Sequence, residues 1–366
     1  AEEAAQWVEY CNREGNTLYA KKRAKNGHPE PHNVVFWGIG NEIDVLNHPG
    51  EIGCMAADDY ARTFLEYSKL MRRLDPRIKL FAVGSNASIS QWDFEVLMRA
   101  GMAIDYVSIH GYYGSENYYE MVACPVYAEK RFRLLDSVID LAMKALGKKE
   151  RIGISFDEWN ALYLPYERRT HHHPYLLKDG IFAAGIFNVM HRLCNSVKVA
   201  NISMLVNSLG EICTTPEAMM LTPIYYACEL YANNSGKIAL DTFVKSATYD
   251  THEQGGRRGM GPWKGVPYLD ASVTLSPTKD QGEEMMYIAA VNRHKDDEIK
   301  CRISLSGFSP KKEAKVLELN GPSWDAQNRV GAKEEVKIEE SFISNVATEF
   351  DYVFPAHSAT VLVIRL

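Results

Sequence analysis

The chain has 366 residues, 46% of them hydrophobic and 24% charged, close to the globular average, which excludes a disordered chain or a fibre. A net charge of −6 supplies no basic field to neutralise phosphates, so no nucleic acid and no anionic membrane surface is expected as a partner. No apolar run reaches the roughly 18 residues of a membrane helix, and the length suits one large domain plus a smaller one.

In chain order, Ala1 to about Asn12 is predicted as a helix, with Ala4, Ala5 and Val8 near helical spacing and Glu2 and Glu3 at its front. A polar, basic connector follows, in which His28-Pro29 and Glu30-Pro31 break any helix. A repeating beat then begins. The apolar runs 34–39, 79–83, 106–109, 151–156 and 197–206 are each followed by a predicted helix, near 56–74, 94–100, 132–146, 179–194 and 222–233. Short apolar runs alternating with amphipathic helices mean parallel strands buried on both faces. The fold class is therefore α/β, a (β/α)8 barrel of which only five strand–helix units are visible, where a closed barrel needs eight. After about Ala239 the beat changes to short alternating segments, 271–275, 285–291, 299–305, 314–319, 336–340 and 360–366, which read as an antiparallel β-sandwich. The expected domains are 1–239, a partial catalytic barrel, and 240–366, the sandwich.

Seven cysteines, none with CxxC spacing, argue against a disulfide framework or zinc ribbon and for reduced thiols in a cytoplasmic protein. The chain opens on Ala1 with no signal peptide after it, which leaves the natural start open.

Two motifs carry chemistry. Trp37-Gly38-Ile39-Gly40-Asn41-Glu42 and Ser155-Phe156-Asp157-Glu158-Trp159-Asn160 both lie at strand ends, on the rim where barrel active sites sit. Two carboxylates, Glu42 and Glu158, thus reach one rim from different strands. A carboxylate pair is what glycoside hydrolysis needs: one protonated to serve the leaving oxygen, one ionised to attack the anomeric carbon. Trp37, Trp159, Tyr112 and Tyr113 suit stacking on sugar faces. A bland alternative, each Glu capping a helix or meeting an arginine, explains one such residue better than two. His110, at another strand end, either touches substrate or is a structural histidine bonded to backbone. His171-His172-His173 beside Pro174 reads as a solvated loop rather than a metal tract, and the glycine-rich 255–259 stretch lacks the strand a phosphate loop requires. No cofactor and no metal is expected.

Together, Trp-Gly-x-Gly-Asn-Glu, Asp-Glu-Trp-Asn, the segment Asp105–Gly114, Leu205-Val206-Asn207 and Val266–Ser272 make the chain similar to glycoside hydrolase family 51, the α-L-arabinofuranosidases. The resemblance covers nearly all of it. It implies a (β/α)8 barrel with an appended β-sandwich, and a retaining exo-glycosidase that removes terminal α-L-arabinofuranosyl units from arabinan- or arabinoxylan-type oligo- or polysaccharides. It implies that Glu42 is the acid/base and Glu158 the nucleophile, that Asn41 bonds the sugar 2-hydroxyl, and that Tyr112 bonds the nucleophile. It also implies a hexamer. Three departures stand out. The family's first three strands, with an Arg-Pro-Gly-Gly segment, have no counterpart here. Met204 stands where the family has a sugar-contacting Gln, and Leu162 where it has an aromatic residue. A retaining barrel glycosidase of other specificity, a β-glucanase or xylosidase, is the alternative that Met204 and Leu162 favour. The short strand count favours a subunit or fragment active only with a companion segment supplying strands one to three, since five strands leave two open edges.

Overall fold

The computed structural model describes residues 1–44, 54–85, 91–164, 173–252, 261–280 and 283–366. Five strands, β1 (Phe36–Ile39), β2 (Lys79–Val83), β3 (Tyr106–Tyr113), β4 (Gly153–Ala161) and β5 (Val197–Ile202), form one sheet whose spatial order is the chain order. The β1–β2 and β2–β3 pairings are parallel. An order that never reverses is that of a winding barrel, not of a doubly wound sheet, whose order turns back at a switch point. Among the described residues, seven α-helices accompany it: α1 (Glu2–Asn12), α2 (Leu18–Lys25), α3 (Ala57–Leu74), α4 (Gln91–Ala100), α5 (Tyr118–Leu146), α6 (Leu177–Arg192) and α7 (Pro223–Asn233).

The local chemistry explains these elements. In α3, Tyr60, Ala61, Phe64, Ser68 and Met71 form the buried stripe, Asp58 and Asp59 sit at the positive N-terminal end, and Arg72 and Arg73 close the negative one. The buried Tyr60 hydroxyl donates to Ile39 O at 2.7 Å and accepts from Val83 N at 2.8 Å, so α3 pins β1 to β2 where both leave the sheet. Gly84 follows β2 because a Cβ there would lie 2.7 Å from Val107 Cγ1 and 2.9 Å from Ser108 O. Thr222 caps α7 through Tyr225 N, with Pro223 pre-set for the first turn.

Two expectations are corrected. The basic connector contains α2. Arg23, within it, is 1% exposed, and its guanidinium donates to the carbonyls of Tyr10, Arg13, His28 and Pro29. One buried fork satisfying four chain carbonyls orders a segment that has little apolar residue to offer. Helix α5 begins at Tyr118 rather than near Phe132, and carries Pro125 inside it.

The remaining strands are antiparallel. β6 (Ile212–Thr214) and β7 (Met219–Leu221) make a hairpin, and β9 (Thr248–Tyr249) pairs with β10 (Val266–Pro267). β8 (Ile238–Leu240), β11 (Leu269–Asp280), β12 (Glu283–Asn292), β14 (Ala314–Asn320), β15 (Lys337–Ile343) and β17 (Ser358–Arg365) form a six-stranded sheet in the order β15-β14-β17-β12-β11-β8. A second sheet pairs β13 (Ile299–Ser304) with β16 (Glu349–Phe354). Met286, Ile288, Val316, Leu362 and Ile364 from the first meet Phe350 of the second in a common core.

By contact density the chain divides into two units, Ala1–Gly111 with Arg131–Glu158 and Asn195–Asn201, and Tyr112–Lys130 with Trp159–Cys194 and Ile202–Leu366. Among the described residues, no helix is long and apolar enough to cross a membrane.

Candidate active site

Where β1 ends, the backbone turns through two residues with positive φ. Gly40 has φ +91°, and a Cβ there would meet Ile43 Cδ1 at 2.9 Å. Glu42 itself has φ +48°, a left-handed conformation that costs a non-glycine residue of order 1 kcal/mol or more. The surroundings hold it there. Two residues on, the buried Asp44 accepts from Ser85 Oγ at 3.1 Å, and Ser85 N donates to Asp93 at 2.7 Å. From β3, Ser108 and His110 project two residues apart, on one face. From β4 come Asp157 and Glu158.

These side chains converge. His110 Nδ1 lies 2.8 Å from Glu42 Oε1 and 3.5 Å from Glu158 Oε2, and one ligand-type atom from each of the three lies within 4.8 Å of the others. On the far side of the ring, His110 Nε2 is 3.8 Å from Asp157 Oδ1, which accepts from Ser108 Oγ at 2.7 Å. Glu42, Asp157 and Glu158 keep 26–33% of their side-chain surface open while His110 keeps 8%, so the carboxylates face the approach and the imidazole backs them. Burial pulls the His110 pKa down, but the hydrogen bond to Glu42 and the charges of Glu158 and Asp157 outweigh it, leaving it above its ordinary value. The buried Arg131 of α5 fixes the strand behind, donating to His110 O at 2.5 Å and Ser85 O at 3.0 Å.

Glu42, His110 and Glu158 form a group of three that could hold a metal ion. The imidazole nitrogen nearest both carboxylates is already engaged in the 2.8 Å bond to Glu42, an arrangement for carrying a proton.

Of the other sequence-derived candidates, Asn41 adjoins Glu42 and is exposed. Tyr112, Trp159 and Met204 belong to the second unit. The Tyr112 hydroxyl donates to Ser203 Oγ at 2.9 Å, Ser203 N donates to Trp159 O at 2.9 Å, and Asn160 Nδ2 bonds the Ser203 carbonyl. Met204, next in sequence, is 44% exposed. Trp159 corrects an expectation: it is 1% exposed and its ring meets Phe182 and Phe187 edge-on, so it offers no free face for a sugar. Leu162 is buried too. His173 is not solvated but buried between the rings of Tyr163 and Tyr175, whereas His171, His172 and the 255–259 stretch lie outside the described residues. Asp157, Ser108 and Arg131 escaped the sequence reading. The signal for the first two was their adjacency to Glu158 and the two-residue step to His110.

Residues 157–358 match the α-L-arabinofuranosidase C-terminal domain family, and residues 1–131 the α-L-arabinofuranosidase 1 domain. A probable α-L-arabinofuranosidase C of Aspergillus clavatus is 30% identical, over 99% of this chain and 71% of its own length. The chain belongs to the α-L-arabinofuranosidases of glycoside hydrolase family 51. Within the family, the α-L-arabinofuranosidase of Thermotoga maritima, solved as an arabinose complex, superposes with a TM-score of 0.90 at 38% identity, over 100% of this chain and 73% of that one. An intracellular exo-α-(1→5)-L-arabinofuranosidase of Halalkalibacterium halodurans is 27% identical over 82% of this chain and 61% of its own. These likenesses carry the expected fold class, a (β/α)8-type barrel with a C-terminal β-domain, and the expected enzyme class, a glycoside hydrolase.

Proposed function

We propose that this family 51 chain releases terminal α-L-arabinofuranosyl units by double displacement, with Glu42 as acid/base and Glu158 as nucleophile. The observation that carries the reading is the pair itself: carboxylate oxygens of Glu42 and Glu158 within 4.8 Å, bridged by one imidazole nitrogen. A separation near 5–5.5 Å leaves no room for a water between carboxylate and sugar, and selects retention. Glu158 attacks the anomeric carbon as its bond to the leaving oxygen breaks, and Glu42 gives that oxygen a proton. Water then attacks the same carbon, Glu42 takes a proton from it, and the Glu158 carboxylate leaves.

The resemblance assigns Asn41, beside Glu42, to the sugar 2-hydroxyl and Tyr112, on β3, to the nucleophile. Met204, exposed and apolar where the family has a Gln, supports the second reading, a retaining glycosidase of other specificity, more than buried Leu162 does. The substrate is an arabinose-containing oligo- or polysaccharide. The division into a barrel part, 1–239, and a sandwich, 240–366, belongs to the same proposal, as do a cytoplasmic location and a hexameric assembly. So does a companion segment supplying strands one to three. It is supported by the outer position of β1 and β5 in the five-stranded sheet and by Val35 and Phe36, 43% and 54% exposed at the β1 flank.

The test is chemical rescue. Glu158→Ala is expected to abolish turnover of every substrate, whereas Glu42→Ala spares glycosylation by aryl arabinofuranosides, whose leaving group needs no proton. Azide is expected to rescue the two variants with opposite anomers, and the same anomer from both would overturn the assignment.

A further inference from the structure

The six-stranded sheet has two unlike faces. Ala314, Val316, Leu362 and Ile364 point into the core. Side chains alternate along a strand, so Lys315 and Leu317 of β14 look the other way. The register sets them beside Phe342 and Glu340 of β15, with Val363 of β17 across from Lys315. Helix α7 covers part of this second face. Its Tyr226, Glu229 and Asn233, at i, i+3 and i+7 on one side of the helix, enclose with Leu317 and Ile338 a cleft of about 490 Å³. A second cavity of about 640 Å³ is lined by no helix residue. Phe342, 69% exposed, and the half-buried Val363 and Met285 give it an apolar floor. Lys315 lines both cavities, so they join in one trough.

The two halves of the trough differ in charge. The cleft sets Glu229 and Glu334 against Lys315 and Lys337, and adds Asn233 and Asn234, a balanced rim of donors and acceptors that suits hydroxyl groups rather than an ion. The Tyr226 hydroxyl donates to Glu334 Oε1 at 2.7 Å and so holds that carboxylate with Oε2 left to accept. Asn234 spends its Nδ2 on Leu230 O at 2.9 Å and keeps Oδ1. The second cavity brings Lys311, Lys312, Lys315 and Arg365 against Glu313 and Glu340. Lys315 is paired with Glu340 at 2.7 Å, whereas Lys311 and Lys312 are exposed and make no ion pair among the described residues. On a chain of net charge −6 this is a local excess of positive charge. A sugar ring has an apolar C–H face and a rim of hydroxyls, and a uronic acid adds a carboxylate. The exposed phenyl ring, the amide-and-carboxylate rim and the lysines answer these three in turn. We propose that this trough binds a uronic-acid-bearing polysaccharide chain, with one ring face on Phe342, a carboxylate at Lys311 and Lys312, and hydroxyls of a neighbouring unit at Glu334, Asn233 and Asn234. An acidic peptide would meet the same lysines but set its own carboxylates against Glu229 and Glu334. The trough shares no residue with Glu42 and Glu158, so the inference stands apart from the roles given to them.

The test is titration calorimetry on the whole chain with three probes: a xylohexaose carrying one glucuronic acid, the unsubstituted xylohexaose, and inorganic polyphosphate. The acidic hexaose is expected to bind about tenfold more tightly than the neutral one at low salt, the order expected of two exposed lysines facing one carboxylate, and the difference is expected to shrink as salt is raised. Phe342→Ala is expected to weaken the acidic hexaose about tenfold, as loss of an aromatic contact does, and to leave polyphosphate within about twofold. Lys311→Ser with Lys312→Ser is expected to abolish the advantage of the acidic hexaose. Phe342, Lys311 and Lys312 are all exposed, so the variants are expected to keep the circular dichroism of the parent and its kcat/KM on an aryl arabinofuranoside within about twofold. Equal affinity for the two hexaoses overturns the proposal, as does binding of the acidic hexaose that Phe342→Ala leaves unchanged. Polyphosphate bound as tightly as the acidic hexaose would show a plain anion patch and overturn it too. So would light scattering that shows a dimer of this chain dissociated by Phe342→Ala with hexaose binding unaltered, since the face would then be covered by a second copy.

Discussion

Replacing Arg131 with Met tests whether the site is held from behind. The guanidinium is 6% exposed and donates to two backbone carbonyls, His110 O at 2.5 Å and Ser85 O at 3.0 Å. Hydrogen bonds from a charged donor contribute about 1.5–3 kcal/mol each, so the pair is worth about 3–6 kcal/mol gross. Removing the cation also recovers its desolvation penalty, which in a buried setting is several kcal/mol but is offset by the two carbonyls left without their donor. A net loss of about 2–4 kcal/mol is expected for Arg131→Met. Urea denaturation followed by circular dichroism measures it, with unchanged slope and a lowered midpoint. Arg131→Lys, which keeps the charge but not the fork, is expected to fall between. Activity is expected to drop further than stability at a temperature where the variant is fully folded, because His110 moves with its carbonyl. A loss below about 0.5 kcal/mol would show that the strand behind His110 stands without Arg131, and the reasoning would fail.

Two further outcomes follow from other parts of the molecule. His191 on α6, bonded to Ser272 Oγ at 3.0 Å and near Ser235 Oγ at 3.3 Å, has its pKa pushed down to about 4 by burial and by the neighbouring Arg192 charge. The unfolded chain therefore binds its proton first, so stability present above about pH 6.5 is lost as pH falls toward 4; His191→Gln is expected to remove about 2–3 kcal/mol of that acid lability in denaturation curves at pH 7 and 4.5, and parallel curves for both proteins would refute it. Gly84→Ala places a methyl 2.7 Å from Val107 Cγ1 and 2.9 Å from Ser108 O, and is expected to cost about 1–3 kcal/mol by thermal melting, with an unchanged midpoint as the contrary result.

The strands and most helices of the five-unit sheet were legible because buried parallel strands must be apolar throughout and their helices must be striped. Glu42 and Glu158 were legible for a related reason: a carboxylate at the end of an apolar run stands out against it. What escaped was held by contacts distant in sequence. Nothing local marks Arg23 as the buried fork that orders α2, since a lysine- and arginine-rich stretch reads as solvated. Trp159 reads equally well as a sugar platform or as core, and only its neighbours Phe182 and Phe187 decide. Tyr163 and Tyr175 bury His173 from either side, the second two residues away but the first ten. Strand β16 did carry a period-two signal in Phe350, Tyr352 and Phe354, obscured by Glu349 and Asp351 on the outer face.

Strand β17 lies in the middle of the six-stranded sheet, between β14 and β12, although it is made after every other strand of that sheet. Its Val361, Leu362 and Ile364 are fully buried there. During synthesis, β12 and β14 must therefore wait unpaired along their facing edges until residue 365 has cleared the ribosome. Until then two strand edges are open to another chain, and a pause in synthesis within β17 would leave them vulnerable to aggregation even with every site residue already in place.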